Sequence, residues 1–271
     1  MAIKKKIILV GIDYTKSSEN ALRYALMLAK KANAGVLIFH MYEVPVVHTF
    51  SGAYFVSYSE MQDYNLQKLE KYRDKFAKMH KGISIEVMAT YKNVKEGVKE
   101  LIRKHQVNYV VMGLDSGNKV SKFIFGTTGL ELVGKISAPV IIVPESYKKH
   151  HLKNGILALD NTKTLSAGLM KRVNSFNRDF GISKEVVHVK TEDEFLFVRN
   201  KTQMSVNKKW RIKIIESDNF EKGILLYVKK KKSDMISVVS HSHSVVYNLF
   251  KETNTKKLAF KSKVPVMSIH D

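Results

Sequence analysis

Residues 7–13 read IILVGID, an apolar run that ends on the carboxylate of Asp13. An unbroken apolar run of this length is typical of a strand that is covered on both faces of a parallel sheet. Polar residues follow at once, and Ser17 or Ser18 can cap a helix there. That helix carries its small and aliphatic side chains on one face, at positions 21, 22, 25, 28, 29 and 32. The chain therefore opens with a buried strand and an amphipathic helix.

The same alternation continues to residue 143. Apolar segments predict four further strands, at residues 36–40, 83–89, 107–112 and 140–143. Helical periods predict helices between them, over residues 60–81, 94–102 and 127–136. Strands that alternate with helices form a parallel sheet with right-handed crossovers and helices on both faces. The prediction is a doubly wound, Rossmann-like α/β sandwich.

The second part of the chain repeats the first. Three pairs of segments match in the same order: 12–16 with 159–163, 109–113 with 236–240, and 135–140 with 261–266. Fewer residues separate the outer matches in the second copy, so we expect that copy to be trimmed in its middle. We predict two tandem domains, at residues 1–147 and 153–271, with an exposed polar linker over residues 146–154.

Composition narrows the classes of function. The 271 residues contain no cysteine, which excludes disulfides, thiolate metal sites and cysteine nucleophiles and fits a cytoplasmic protein. Nowhere do 18 apolar residues run together, so no membrane span is expected. The net charge of +21 would attract nucleic acid, but it also fits a solvated basic surface. Lys229 to Lys232 form the one long lysine block.

A ligand crevice is expected where the winding of the sheet reverses, beyond the carboxyl ends of the strands. Asp13 ends the first strand, and Gly113 follows the fourth. A helix that starts at Gly126, Thr127 and Thr128 would offer free N–H groups and hydroxyls to a phosphate. The alternative interpretation is structural: a threonine caps that helix, and Gly113 turns the chain.

Several segments resemble the universal stress protein family. They are residues 8–13 (ILVGID), 18–22 (SENAL), 111–113 (VMG) with 126–127 (GT), and 137–143 (SAPVIIV). The second copy resembles the degenerate second domain of tandem members from bacteria of the Bacteroides type. The resemblance implies two α/β sandwich domains and a non-catalytic stress-response protein with at most a weak ATPase activity.

The resemblance also implies a nucleotide site in the N-terminal domain. ATP-binding members carry a glycine, two residues, a second glycine, nine residues, and a glycine followed by Ser or Thr. Here Gly113 and Gly126-Thr127 keep that frame, but Ser116 replaces the second glycine and Gly117 stands one place late. Asp115 would repel a polyphosphate unless a metal ion such as magnesium intervenes.

The resemblance assigns a role to each position of this site. Asp13 would hold the ribose or adenine side, and the backbone of Met41 would face the adenine. Five residues would surround the phosphates: Gly113, Ser116, Gly126, Thr127 and Thr128. Met112 and Gly117 complete the set of candidate nucleotide-binding residues.

The second copy lacks both end glycines of this loop, so no second phosphate cradle is expected. The resemblance implies edge-to-edge pairing of the two domains, with residues 140–143 against residues 266–269. It also implies that two chains associate as a homodimer.

Two other sequence patterns resemble known binding motifs but do not predict a binding site. Residues 129–135 spell most of a P-loop, but Ile136 stands where Ser or Thr must bind magnesium. His150-His151 and His241/His243 have no carboxylate or third ligand at a usual spacing, which favours linker and loop histidines over a metal site.

Three functions stay open from the sequence. The first is a non-catalytic protein that responds to an adenine nucleotide, and the second is a ligand-free structural or protein-interaction module. The third is a basic surface that binds nucleic acid.

Overall fold

A computed structural model describes residues 5–42, 46–49, 52–55, 57–91, 93–115, 132–133, 135–159, 167–191, 212–240 and 261–270. No described helix has the length and the apolar character that crossing a membrane requires.

The N-terminal half contains seven strands and three helices among its described residues. In chain order they are β1 (Ile7–Gly11), α1 (Lys16–Ala32), β2 (Gly35–Met41), β3 (Val46–Thr49), β4 (Gly52–Phe55), α2 (Tyr58–Met79), β5 (Ile85–Thr90), α3 (Val94–His105), β6 (Tyr109–Leu114) and β7 (Val140–Pro144).

The C-terminal half follows the same plan, with fewer elements among the residues that the structure describes. They are β8 (Asn154–Leu159), α4 (Ala167–Phe180), β9 (Ser183–Lys190), β10 (Ile212–Glu216), α5 (Phe220–Lys231), β11 (Met235–Ser240) and β12 (Val266–His270).

Ten of the strands form one sheet, in the order β10-β9-β8-β11-β12-β7-β6-β1-β2-β5. The order β5-β2-β1-β6-β7 of the N-terminal half recurs as β10-β9-β8-β11-β12, so the trimmed second copy keeps five strands. Neighbouring strands within each half are parallel. The doubly wound α/β fold predicted from the sequence is confirmed.

The halves join at the centre of the sheet, where β7 and β12 run antiparallel. Val266 lies opposite Ile142, Met267 opposite Ile141, and Ser268 opposite Val140. The expected edge-to-edge pairing is therefore present within one chain. It covers two apolar strands that would otherwise present open edges.

The halves differ between their second and third sheet strands. This connection spans residues 42–84 in the N-terminal half and only residues 191–211 in the C-terminal half. The longer one contains the antiparallel hairpin β3–β4, which the sequence analysis missed. The trimming of the second copy thus lies in its middle, as predicted.

Apolar side chains pack on both faces of the sheet. On one face a single core runs through both halves and includes residues of α1, α2 and α4, such as Leu22, Leu69 and Phe176. On the other face each half has its own core, which α3 covers in the N-terminal half and α5 in the C-terminal half. The shared core means that each half buries apolar surface against the other.

One prediction about the chain between elements was wrong, and another holds only in part. Thr15 caps α1, because its side chain accepts the N–H of Ser18 at 3.2 Å, and Ser18 itself is buried. The segment at residues 146–154 is an exposed linker only in part: Ser146, Lys148, Lys149, Lys153 and Asn154 are exposed, but Tyr147 and Leu152 are buried. Most of the predicted helix at residues 127–136 lies outside the described residues.

Candidate functional site

The winding of the N-terminal half reverses between β1 and β6. These strands are neighbours, with Val10 opposite Val111, so Asp13 and Gly113 reach the same carboxyl edge. α1 and α2 lie on one face of the sheet and α3 on the other. This is the position at which open α/β sheets bind ligands.

Asp13 is held in a tight turn at this edge. Its Oδ1 accepts a hydrogen bond from the Thr15 N–H at 3.0 Å and another from the Thr15 hydroxyl at 2.5 Å. Its own N–H donates weakly to the Ser18 hydroxyl at 3.4 Å. The residues that start α1 thus orient the carboxylate of Asp13. Asp13 stabilises this turn and is also positioned to bind a ligand.

Gly113 does not turn the chain, contrary to the structural interpretation of the sequence. It lies inside β6, which continues to Leu114. A Cβ at this position would lie 2.4 Å from the Ser17 carbonyl oxygen and 2.8 Å from the Ser18 nitrogen. Glycine is required because the first turn of α1 packs directly on the backbone of β6.

Tyr14 follows Asp13 with a φ of +64°, a left-handed conformation that is uncommon for a residue other than glycine. Its ring packs 4.9 Å from His40 and 5.4 Å from Tyr72, centroid to centroid. The Lys68 Nζ lies 4.1 Å above the ring. Burial, followed by the proximity of Tyr64, raises the pKa of the Tyr14 hydroxyl to about 12, so the hydroxyl is protonated at pH 7 and the charge at this ring is that of Lys68.

His40 was not predicted from the sequence. Its Nδ1 donates to the Ile12 carbonyl at 2.7 Å, which fixes the backbone just before Asp13. Burial, with a smaller effect of Lys68, lowers the pKa of His40, although the Ile12 hydrogen bond and Asp13 oppose the shift. His188 of the second copy makes the same contact, from Nδ1 to the Leu159 carbonyl at 3.1 Å. The matching positions of these histidines in the two copies were the signal that could have revealed them.

The two methionines of the predicted site differ in position. Met112 is fully buried in the core on the α3 side, so its side chain is part of the packing. Met41 ends β2 and is partly exposed. Its thioether lies against Gly97 of α3, where a Cβ would contact the Met41 Cε at 3.5 Å.

The phosphate side of the predicted site lies outside the described residues. This applies to Ser116, Gly117, Gly126, Thr127 and Thr128, and to the corresponding loop of the second copy at residues 241–260. In the described part of the chain, no group of three His, Asp or Glu side chains could hold a metal ion.

One prediction about the histidine pairs needs correction. His151 does have a carboxylate neighbour, because its Nε2 lies 2.9 Å from Oδ1 of Asp234. His150 bonds instead to the side chain of Asn20. His241 and His243 lie outside the described residues.

The sequence was compared with models of known protein families. The family model described as "Universal stress protein family" matches residues 5–144, which is more than half of the chain. The chain belongs to the universal stress protein family. This confirms the resemblance noted in the sequence, and the matched range contains the whole predicted nucleotide loop.

Solved structures share the fold of this universal stress protein over its full length. One is a universal stress protein from Archaeoglobus fulgidus, with 16% sequence identity, a TM-score of 0.64 and coverage of 99% of both chains. Another is a putative universal stress protein from Pseudomonas aeruginosa, with 10% identity, a TM-score of 0.57, and coverage of 99% of this chain and 94% of that one. At these identities the likeness concerns the fold alone. A comparison with curated proteins finds no match.

Proposed function

We propose that the N-terminal domain, residues 1–147, binds an adenine nucleotide in the crevice between the ends of β1 and β6. The C-terminal domain, residues 153–271, supports it as a built-in partner. The position of Asp13 carries this proposal: its carboxylate is oriented by Thr15 at the edge where the winding of the sheet reverses. Membership of the universal stress protein family supports the same assignment.

We infer binding rather than catalysis. The described groups at the crevice are engaged locally, since Oδ1 of Asp13 accepts from Thr15 and Nδ1 of His40 donates to Ile12. Such contacts suit a rigid binding surface better than a general base that must gain and lose protons. Any ATP hydrolysis would accordingly be slow.

Magnesium would enter with the nucleotide. The described residues provide no three-ligand cluster of their own, so we propose that the phosphates supply most of the ligands to the ion. The metal would then also offset the charge of Asp115.

A thermal titration tests the proposal. ATP with magnesium should raise the melting temperature of the full chain, because a ligand that binds the folded form stabilises it. The Asp13→Asn variant should lose most of this shift. Asp160→Asn is the matched control, since Asp160 holds the equivalent position in the second copy, and it should respond like the wild type.

The purified protein provides an independent readout. Denaturation should release an adenine nucleotide that mass spectrometry detects. A flat titration together with an empty extract would reject the proposal and favour the ligand-free module.

The nucleic-acid alternative has weaker support. Lys229, Lys230 and Lys231 form the last turn of α5, and Lys232 is its C-cap. Cations stabilise the carboxyl end of a helix, and Lys231 also pairs with Glu185 at 3.2 Å. The lysine block therefore has a local role, and this alternative rests on the net charge of +21. Binding to DNA that weakens steeply with salt would favour it.

A further inference from the structure

A second cavity opens beside the first two turns of α1, on the side of the segment that connects the two halves. Its volume is about 380 Å³, which is within the range of small-molecule sites. Tyr14 and Thr15, which also border the crevice, form one end of its wall. The rest of the wall comes from α1, with Lys16, Glu19, Asn20 and Arg23, and from the connecting segment, with Lys148 and His150.

Asn20 holds the two sides of this cavity together through its hydrogen bonds. It is only 3% exposed, and its Nδ2 donates to the carbonyl oxygens of Pro144 and Tyr147, both at 2.9 Å. Its Oδ1 must then accept, so His150 donates from Nε2 at 2.9 Å. One buried amide thus fixes the connecting segment against α1, and the wall of the cavity is preorganised.

The charges around the cavity do not balance. Glu19 is neutralised, because Arg23 bonds to Oε1 at 2.7 and 3.2 Å and Lys75 lies 3.7 Å from Oε2. Its pKa is accordingly lowered, chiefly by the Arg23 hydrogen bond. Lys16 and Lys148 have no ion-pair partner within the described residues. Two unpaired ammonium groups therefore share one concave surface.

The pKa of His150 is also affected by the excess of positive charge around the cavity. Burial lowers its pKa first, and the positive charges of Arg23 and Lys148 lower it further. The hydrogen bond to Asn20 opposes the shift but does not reverse it. The lowered pKa favours the neutral ring at pH 7, and the charges of Arg23 and Lys148 lie close enough to influence it.

We infer that this cavity binds a phosphate-type oxyanion, held by Lys16 and Lys148 and positioned by the α1 wall. The chemistry is that of a compact, multiply charged anion that matches two ammonium donors. The anion could be free inorganic phosphate or the phosphate group of a small metabolite. The inference goes beyond the proposed nucleotide crevice and does not depend on it.

Calorimetric titration of the full chain with inorganic phosphate, at constant ionic strength maintained with chloride, tests this site. Saturable binding is expected, and Lys148→Ala should weaken it about tenfold, as for the loss of one charge-assisted hydrogen bond. Lys149→Ala is the matched control, because it removes the same charge from the adjacent exposed residue, which is not part of the wall. Lys16→Ala should act like Lys148→Ala. The absence of saturable heat, or equal effects of the Lys148 and Lys149 variants, would refute the inference.

Two further measurements separate this site from the crevice. Asp13→Asn should leave phosphate affinity unchanged, whatever it does to ATP. An equal loss in Asp13→Asn and Lys148→Ala would show that the phosphate belongs to the crevice, which would overturn an independent site. In NMR titrations, phosphate should raise the pKa of His150 in the wild type and in Lys149→Ala, and in Lys148→Ala the same rise should require about tenfold more phosphate. Glycerol 3-phosphate that binds more tightly than inorganic phosphate would favour a phosphate ester as the ligand, and weaker binding of the ester would favour the free ion.

Discussion

At the scale of single residues, the start of α1 organises the crevice. Thr15 accepts the Ser18 N–H and donates its hydroxyl to Asp13, so the cap of the helix and the orientation of the carboxylate depend on the same side chain. Gly113 then allows this turn to rest on β6 without an intervening side chain. A residue that the family pattern links to phosphate thus has a packing role that is visible without any ligand.

This packing role predicts the effect of Gly113→Ala. The new Cβ would meet backbone atoms of Ser17, which cannot rotate away, so we expect a loss of about 1–3 kcal/mol in unfolding free energy. Gly97→Ala is the control, because its Cβ would make an ordinary 3.5 Å contact inside a helix. That change should be neutral or stabilise by up to about 1 kcal/mol.

Urea denaturation of the two variants measures both effects. Equal stabilities of Gly113→Ala and the wild type would show that α1 does not rest on β6 as described.

At the scale of elements, the two copies share features that the sequence comparison did not show. Asn93 caps α3 by accepting the Glu96 N–H at 3.0 Å, and Asn219 caps α5 by accepting the Lys222 N–H at 2.8 Å. Gly97 and Gly223 each follow four residues after the cap. These features persist in the copy that has lost its loop glycines, so we interpret them as requirements of the fold and not of a ligand.

The antiparallel register of β7 and β12 can be tested with a pair of introduced cysteines, because the chain has no cysteine of its own. Ile141 and Met267 lie directly opposite each other, at a separation that a disulfide can span. The Ile141→Cys/Met267→Cys variant should therefore form an intramolecular cross-link under mild oxidation. Mass spectrometry and a faster gel mobility without reductant would detect it.

The control pair is Ile141→Cys/Ile269→Cys, which is displaced by two residues on the same face of the strand. It should cross-link far more slowly. Equal rates in the two pairs would contradict the observed register.

At the scale of the whole molecule, a buried polar cluster ties the halves together. Asp179, at the end of α4, has a side chain that is 1% exposed. It accepts the hydroxyl of Tyr109 at 2.7 Å and pairs with Lys6, and both partners belong to the N-terminal half. The Tyr109 ring also packs on Phe176 and Phe180 of α4.

Asp179→Ala should lower the unfolding free energy by about 1–3 kcal/mol, because it removes both the acceptor of the Tyr109 hydroxyl and the ion-pair partner of Lys6. Tyr109→Phe is the milder control, at about 1 kcal/mol, since Lys6 continues to pair with Asp179. Because one core runs through both halves, each variant should still unfold in a single transition. Separate transitions in circular dichroism would contradict a shared core.

Homodimer formation stays a prediction for sedimentation analysis, and it would have to use a surface other than β7 and β12.

The local pattern determined much of this protein on its own. Apolar runs and helical periods placed the five N-terminal sheet strands and the first three helices, and the repeat of IDYTK as LDNTK revealed the duplication. Family resemblance then supplied the β7–β12 pairing and the position of Asp13. These properties can be recognised early because they depend on neighbours in the chain or on a motif.

Only the tertiary structure decided the rest. It showed that Gly113 accommodates Ser17, that Asn20 fixes Pro144 and Tyr147, and that Asp179 meets Tyr109. Each of these contacts joins residues about 70 or more positions apart, and the periodicity of a short segment carries no information about such partners. Local sequence determines the helices and strands. The role of a buried polar residue or a glycine depends on the distant residues that contact it in the folded chain.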